Sequence, residues 1–597
     1  QIQCMVLSTD NKNDPDLLAL VGASAALSLS GAPFDGPVGA ARVGYIDGEY
    51  TLNPTHAELD NGTMDLIVAG PPEGVSMLEL AGEELPDEVV AEGIARGTEV
   101  CATVVEMIRE LVEQVGAGAP AGEFEPMQVP DELIRTVTDK YGDRIRQAKQ
   151  IPGKQQRGEA MSGIRDALLG EMCPEDVEEP EYSPAQVKEA FFRVEGKIQR
   201  RLILGGTRPD GRGAKDVRPL SIEAGVLPRT HGSGLFARGE TQALVTATLG
   251  TPRDQQVVDG LLEEYKKPFM LHYNFPPFCV GEIRPIRGPG RREIGHGALA
   301  EKSLQPIMPP PDDFPYTVRI VADMLESNGS TSMAAVTGGT LALMDAGVPI
   351  KAPVAGISIG MVSDGDEYVL LTDIIGEEDF HGDMDFKVAG SVNGITGVQL
   401  DMKARFIPQD RIVETLTQAR EARRHILDAI AEVLPEPRGD ISQYAPRMLT
   451  VHIDPEKIGK VIGPGGKTIN RIQDETGASI DIEDDGTVYV AALQAGAAEA
   501  AKEAIETLTA EVEVGRIYTG RVVTVRDFGA FVEIFPGQDG MCHISELENG
   551  YVKKVTDVVN VGDTVKVKVL SVDDQGRVRL SRKQAMTDDS GDEEGDE

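Results

Sequence analysis

Cysteine is scarce in this chain and poorly placed for chemistry. The five cysteines (Cys4, Cys101, Cys173, Cys279, Cys542) are scattered, with no C-x-x-C pair. That excludes a disulfide framework and a cysteine zinc site, and it suits reduced thiols. Apolar runs of membrane-spanning length, about 20 residues, are missing. No signal peptide is expected either, so the chain reads as cytoplasmic, with no membrane partner. Positive charge is in deficit: 58 Lys and Arg against 98 Asp and Glu give a formal net charge of -40. Such a chain cannot coat nucleic acid by bulk attraction, so any binding must come from local patches. Part of the charge is detachable, because residues 586–597 read as an acidic disordered tail. The 597 residues exceed a single core, which stops growing near roughly 250–300 residues. Gln1 leads directly into an apparent strand, Ile2 to Leu7, which reads as a start inside a domain and hence an N-terminal truncation.

What is present is concentrated. The segment E-E-D-F-H-G-D-M-D-F-K gathers Glu377, Glu378, Asp379, Asp383, Asp385 and Lys387 around one glycine. From Asp383 the spacing suits a strand, in which alternate residues share a face. Asp383, Asp385 and Lys387 would point one way, and Met384, Phe386 and Val388 into a core. Asp379, in the preceding turn, would join Asp385 on one ion. Two carboxylates and an ammonium suit a magnesium ion bound to phosphate; a solvated acidic turn beside an ordinary strand would use the same residues. A second segment, Glu326 to Met333, sets Ser330, Thr331 and Ser332 directly after Gly329 and opens an apolar helical run, Ala334 to Met344. Hydroxyls and free N–H groups at a helix N-terminus can cradle phosphate, although a plain N-cap needs only one of them. Arg284, Arg287, Arg291 and Arg292 crowd a Gly- and Pro-rich loop and suit phosphodiester oxygens, or else pair with nearby acids. His296, at the loop's end, is a candidate proton donor or a packing residue.

The chain also repeats itself. Ala25 to Ala40 aligns without gaps on Leu341 to Gly356, pairing Gly31 with Gly347, Pro33 with Pro349 and Pro37 with Pro353; Met64 to Gly70 mirrors Met384 to Gly390. Two copies of one α/β unit follow: helix, Gly-Pro turn, strand, hairpin, strand. Only Asp65 keeps the polar set in the first copy. Ile67 stands for Lys387, Leu59 for Asp379, and Asp14-Pro15-Asp16 for the Ser-Thr-Ser segment. A packing requirement would have held the copies alike, so the second copy's polar set reads as chemistry. Between the copies a helical segment, about Glu125 to Leu204, reads as a connector without chemistry. Its last helix has Ser183 as N-cap, Pro184 at the first position, and Phe191, Phe192, Ile198 and Leu202 on one stripe.

From Met448 the pattern is strand, helix, G-P-G-G loop, helix, two strands and an Ala-rich helix. Gly463, Gly465 and Gly466 bring bare backbone between two helix ends flanked by Lys460 and Lys467, as in the G-x-x-G clamp of a KH domain. From Val514 to about Ala585 five strands alternate as an OB barrel requires. Phe528, Phe531, Tyr518 and His543 offer ring faces to bases, with Arg516, Arg521 and Arg526 nearby; the two Phe could instead fill the barrel.

The strings T-R-P-D-G-R (Thr207 to Arg212), G-V-L-P-R-T-H-G-S-G-L-F-A-R-G-E-T-Q-A-L-V, R-R-E-I-G-H-G, S-N-G-S-T-S-M-A, G-D-M-D-F-K-V-A-G and G-P-G-G together resemble the polynucleotide phosphorylase family over nearly the whole chain. The resemblance implies a multidomain α/β (α+β) chain: a first RNase PH-like core with a degenerate site (1–118), a helical linker (119–204), a second, catalytic RNase PH-like core (205–436), a KH domain (446–511), an S1-type OB barrel (513–585) and the tail. It implies processive, phosphate-dependent 3′-to-5′ degradation of single-stranded RNA, mRNA included, releasing nucleoside diphosphates, and the reverse polymerisation. Inorganic phosphate is the co-substrate, with magnesium, or manganese in its place. The implied assembly is a homotrimeric ring within a larger RNA-degradation complex. Position by position, Asp379 and Asp385 fall on metal ligands, and Asp379, Asp385 and Lys387 on catalytic residues. Ser330, Thr331 and Ser332 fall on the phosphate loop (Thr331 where Ser is usual), Arg291 and Arg292 on substrate-binding arginines, and His296 on an active-site histidine. The family's opening strands and arginine loop have no counterpart here. A hydrolytic 3′ exoribonuclease and a silent RNA-binding scaffold are the rival readings.

Overall fold

The structure is a computed structural model and describes residues 1–118, 127–174, 177, 180–494, 496–510, 512–535, 537–573 and 576–589. It forms two compact units, Gln1–Gly250 with Asp254–Ala445, and Thr251–Arg253 with Pro446–Glu597.

The strand expected at Ile2 to Leu7 does not form. Residues 1–10 carry no regular structure, and Met5 and Leu7 are exposed. A strand needs a neighbour to take up its backbone groups, and none of the described residues does so. The first copy of the repeat follows as α1 (Asp16–Leu29), β1 (Gly39–Ile46), β2 (Glu49–Leu52), α2 (His56–Leu59), β3 (Gly62–Gly70), β4 (Met77–Leu85) and α3 (Asp87–Val115).

The connector is α4 (Asp131–Ala148), α5 (Lys154–Met172) and α6 (Pro184–Leu204); residues 119–126, where the segment was expected to begin, lie outside the described residues. Ser183 caps α6 in a capping box with Gln186, and Pro184 opens it. Phe191 and Ile198 are buried against Leu133 and Val137 of α4. Phe192 departs from that stripe, because its angular position on α6 is turned away from the connector core. It is 39% exposed and packs on the rings of Phe380 and His381, at 5.4 and 5.2 Å.

The rest of the first unit comprises β5 (Leu220–Ala224), β6 (Gly232–Arg238), β7 (Thr241–Gly250), a small ribbon of β8 (Gln256–Val258) and β9 (Tyr265–Lys267), β10 (Phe269–Asn274), α7 (Arg291–Leu304) and β11 (Thr317–Glu326). The second copy of the repeat closes it: α8 (Thr331–Asp345), β12 (Ala355–Asp364), β13 (Glu367–Thr372), α9 (Gly376–His381), β14 (Met384–Gly390), β15 (Ile395–Met402) and α10 (Gln409–Val433). One eight-stranded sheet, β13-β12-β14-β15-β4-β3-β1-β2, holds both copies, each in the same internal order. They meet at β15 and β4, with Leu400 opposite Leu78. A five-stranded sheet, β10-β11-β7-β6-β5, faces it, with α8 packed against strands of both. Only small residues permit that approach: a Cβ on Gly338 of α8 would stand 2.6 Å from Val245.

In the second unit, β16 (Arg447–His452), α11 (Ile458–Ile462), α12 (Lys467–Thr476), β17 (Ser479–Ile482), β18 (Thr487–Ala492) and α13 (Ala497–Thr509) form a three-stranded sheet, β16-β18-β17, with three helices. The barrel is β19 (Ile517–Arg526), β20 (Gly529–Phe535), β21 (Gln538–His543), β22 (Thr564–Val572) and β23 (Val578–Ser581), closed in the order β19-β20-β21-β23-β22. The expected tail does not start at 586: α14 (Arg582–Asp589) runs past it. Ala585 is fully buried and anchors the helix. Residues 590–597 lie outside the described residues.

Candidate active site

α8 is buried on every side from Thr331 to Met344, which a helix accepts only between layers. Its N-terminus follows β11 through a loop that turns at Gly329, φ 92°, where a Cβ would stand 2.7 Å from Ile374 O. Ser330 lies at φ 55°, ψ 45°, a left-handed conformation, and caps α8 without a side-chain bond to it. Such backbone strain in a residue with a Cβ persists only where its surroundings impose it. Arg218 Nη1 donates to Asn328 O (2.9 Å), and Arg238 Nη2 to Ser330 O (3.1 Å). Both guanidiniums sit 2.7 Å from the buried Asp373. Burial alone would raise that carboxyl, but Arg238, Arg218 and Arg212 outweigh it and keep it ionised. Held from below, the loop leaves two of its three hydroxyls unused. Ser330 Oγ and Ser332 Oγ are buried without a hydrogen-bond partner, and Thr331 Oγ1 accepts from Tyr273 at 2.7 Å. Unpaired buried hydroxyls beside the free N–H groups of a helix start are complementary to an anion.

Every residue of β14 is buried. Met384, Phe386 and Val388 enter the core, while Asp385 and Lys387 share the opposite face, Oδ2 to Nζ 3.1 Å. Lys387 also donates to Gln399 Oε1 on β15, at 2.9 Å. Asp385 Oδ1 is buried and unpartnered. Burial raises this carboxyl; Lys387 opposes the rise, and Asp379 and Asp401 add to it. Asp379 lies on the short helix α9 and not in a turn, with Lys403 Nζ 2.7 Å from its Oδ1. Asp383, directly before β14, has partners of its own. Arg200 donates to both its oxygens (2.8 and 2.9 Å), and Ser363 to Oδ2, so it is a structural anchor. Among the described residues no group of three His, Cys, Asp or Glu could hold a metal alone. Asp379 and Asp385, the latter with an unpartnered oxygen, are hard oxygen donors of the kind a magnesium-like ion takes.

Arg291 and Arg292 are exposed at the start of α7, after an irregular loop in which Arg284 pairs with Glu282 (3.4 Å). His296, a turn further on, packs edge-on to Tyr273 at 5.5 Å. Its imidazole is pushed down to about 3, first by burial, then by Lys387 and Arg292, with Asp379 opposing. Lys387, Arg292 and Asp379 are therefore each in electrostatic reach of His296, and the ring is neutral at ordinary pH.

The unpartnered Ser358 Oγ on β12, opposite Lys387, was missed from sequence. So were Gln399, Asp401, Lys403 and Tyr273. The repeat carried a signal for Ser358, because its counterpart in the first copy is Arg42.

In the second unit Gly463, Gly465 and Gly466 take φ values of 70°, 61° and 78° between α11 and α12, with Lys460 and Lys467 exposed. A Cβ on Gly465 would meet nothing within 4 Å, so the backbone there faces open space. In the barrel, Val522, Ala530, Val532 and Cys542 fill the core. Phe528 is 52% exposed in the hairpin after β19, edge-on to Phe531 at 6.4 Å. Phe531 pairs with Met541, and Gly529 with His543, on the face away from the core.

Family models match in five places: "3' exoribonuclease family, domain 2" at residues 36–100, "Polyribonucleotide nucleotidyltransferase, RNA binding domain" at 132–213, "3' exoribonuclease family, domain 1" at 216–349, "KH domain" at 448–507 and "S1 RNA binding domain" at 511–583. The polyribonucleotide nucleotidyltransferase of Rhodopirellula baltica is 48% identical over 98% of this chain and 78% of its own length. That of Heliobacterium modesticaldum is 48% identical over 98% and 82%, and that of Geobacillus kaustophilus 47% over 98% and 81%. With both core models, both RNA-binding modules and the connector model in one order along it, the chain belongs to the polyribonucleotide nucleotidyltransferase family.

Proposed function

We propose that this chain catalyses phosphate-dependent, processive 3′-to-5′ breakdown of single-stranded RNA, releasing nucleoside diphosphates, and the reverse, template-independent polymerisation. The carrying observation is the set of buried, unpartnered oxygens of Ser330, Ser332 and Asp385, the last with Lys387 at 3.1 Å from its other oxygen. The names of the relatives support nucleotidyl transfer. In this reading Ser330, Thr331, Ser332 and the α8 N-terminus hold inorganic phosphate, and Arg291 and Arg292 engage the RNA phosphodiesters. A phosphate oxygen attacks the terminal phosphorus, the bond to the preceding 3′ oxygen breaks, and the proton of the incoming hydrogen phosphate ends on that oxygen. Lys387 offsets charge developing between the two phosphoryl groups, and neutral His296 orients them through its ring nitrogens. Asp379 and Asp385 would hold magnesium or manganese, which supplies further charge neutralisation when bound. Positioning and electrostatics suffice for such a transfer.

The same reading divides the chain as the sequence suggests: first core 1–118, linker 119–204, catalytic core 205–436, KH domain 446–511 and S1-type barrel 513–585. The Gly463 to Gly466 loop with Lys460 and Lys467, and the Phe528, Phe531 and His543 face, capture RNA. A homotrimer, a cytoplasmic location and a place in a larger mRNA-degradation complex belong to it as well; no described helix is long and apolar enough to cross a membrane. Incubating labelled RNA with and without phosphate tests it. Diphosphates released only with phosphate are expected. Monophosphates released regardless would make the chain a hydrolase, and tight binding without turnover would make it a scaffold.

A further inference from the structure

The connector reads from sequence as a part without chemistry, yet the α4–α5 turn and the first turn of α5 grip both halves of the candidate site. Arg157, 1% exposed, donates from Nε to Glu377 Oε1 at 2.7 Å. Lys149, 2% exposed, bridges Glu195 (2.5 Å) and Glu377 (3.4 Å). Gln199 of α6 donates to Glu377 O at 3.0 Å. Glu377 is in the first turn of α9, two residues before Asp379. Arg157 Nη1 also donates to Ile151 O (3.0 Å) and Gly153 O (3.4 Å), cross-bracing the turn that makes this grip.

On the phosphate side, Lys154 Nζ donates to Ser327 O (2.7 Å), and Lys154 N to Glu240 Oε1 (3.1 Å). Glu240 Oε2 accepts from Asn328 Nδ2 (2.8 Å), and Asn328 Oδ1 accepts from Gly376 N (3.1 Å). The circuit closes: the first turn of α5 reaches α9 directly through Arg157 and reaches it again through Glu240 and Asn328, two residues before Ser330. Buried ion pairs contribute little net stability compared with apolar packing, so a surface needing only adhesion would not require them. They do fix direction and distance.

We propose that Arg157 and Lys154 are positioning residues. Through Glu377 and through Ser327 and Asn328 they set the separation between Asp379 and the Ser330 to Ser332 loop. The inference rests on the site reading above. Second-sphere partners of this kind are worth about 10–100-fold in metal affinity or activity.

The test uses the full chain with Mn2+ as the probe, titrated by electron paramagnetic resonance without RNA, alongside kcat, the KM values for phosphate and RNA, and the melting temperature. Arg157→Met should weaken Mn2+ binding and lower kcat by about tenfold or more, with the KM for RNA within about twofold. Arg157→Lys should recover part of both. Lys154→Met should raise the KM for phosphate and leave Mn2+ affinity in place. Leu168→Ala removes a buried α5 side chain in the connector core; it should lower the melting temperature without moving Mn2+ affinity. Wild-type Mn2+ affinity and kcat in Arg157→Met would overturn the proposal, as would the same Mn2+ loss in Leu168→Ala. If Arg157→Met does not fold, Glu377→Gln carries the same test. Asp379→Asn separates the two claims. If it binds Mn2+ normally, the site reading fails; if it loses Mn2+ while Arg157→Met does not, only the positioning role fails.

Discussion

The two copies of the α/β unit share register and strand order, and they use charge in opposite ways. In the first copy Arg42 of β1 lies opposite Ile67 of β3. Its guanidinium binds both oxygens of Asp65 (2.7 and 2.9 Å), pairs with Asp14 and lies 3.8 Å from Asp16. Burial opposes its charge, but Asp65 and Asp14 more than compensate and hold it protonated. In the second copy the cation has moved one strand across: Ser358 occupies Arg42's place on β12 and lies opposite Lys387 of β14. Lys387 leaves Asp385 Oδ1, Ser358 Oγ, Ser330 Oγ and Ser332 Oγ buried and unpartnered. One copy has closed its polar groups on each other, and the other keeps them for something else. A fold tolerates that cost at a functional site and removes it elsewhere.

Breaking the matched carboxylates is the sharpest probe of this difference. Asp385→Ala should reduce phosphorolysis on the order of a thousandfold, with RNA affinity nearly unchanged. Asp65→Ala should leave turnover per folded molecule intact and lower the melting temperature, because Arg42 loses its bidentate partner. Equal activity losses in the two variants would erase the distinction between copies. Next in size, Ser332→Ala should raise the KM for phosphate by about tenfold, read from initial rates at saturating RNA. An unchanged value would remove this hydroxyl from the phosphate site.

The second unit sharpens the contrast between chemistry and capture. Gly465→Asp puts a carboxylate where the backbone faces open space, at a φ of 61° that favours glycine. Phe528→Ala removes a stacking face worth about 1–3 kcal/mol per base. Both should weaken RNA binding in a filter or anisotropy titration and spare kcat at saturating RNA. A collapse of kcat in either would make these modules part of the active site. The smallest effect concerns His296. Folding lowers its pKa from 6.5 to about 3, so between these values the unfolded chain binds a proton that the folded chain does not. Its contribution therefore makes stability fall as pH drops below 6.5. His296→Gln should flatten the denaturant-stability profile between roughly pH 7 and 5, whereas an unaltered slope would mean the ring titrates normally in the fold.

Local chemistry was legible from the residues themselves. The repeat, the G-P-G-G loop between helices, the five alternating strands, the Ser183-Pro184 helix start and the inward set Met384, Phe386 and Val388 all depend on near neighbours in the chain, which spacing records. Spacing could also nominate Asp379, Asp385, Lys387 and the Ser-Thr-Ser segment, because the second copy could be compared with the first. Tertiary structure decided what each charge meets. It joined the copies in one sheet at β15 and β4, gave Asp383 to Arg200, turned Phe192 out to Phe380 and His381, and brought Lys154 and Arg157 of the connector to Ser327 and Glu377. Those partners lie up to 220 residues apart. A local pattern reports which face a side chain takes and whether it prefers burial, but the partner of a buried charge is set by which distant element packs there.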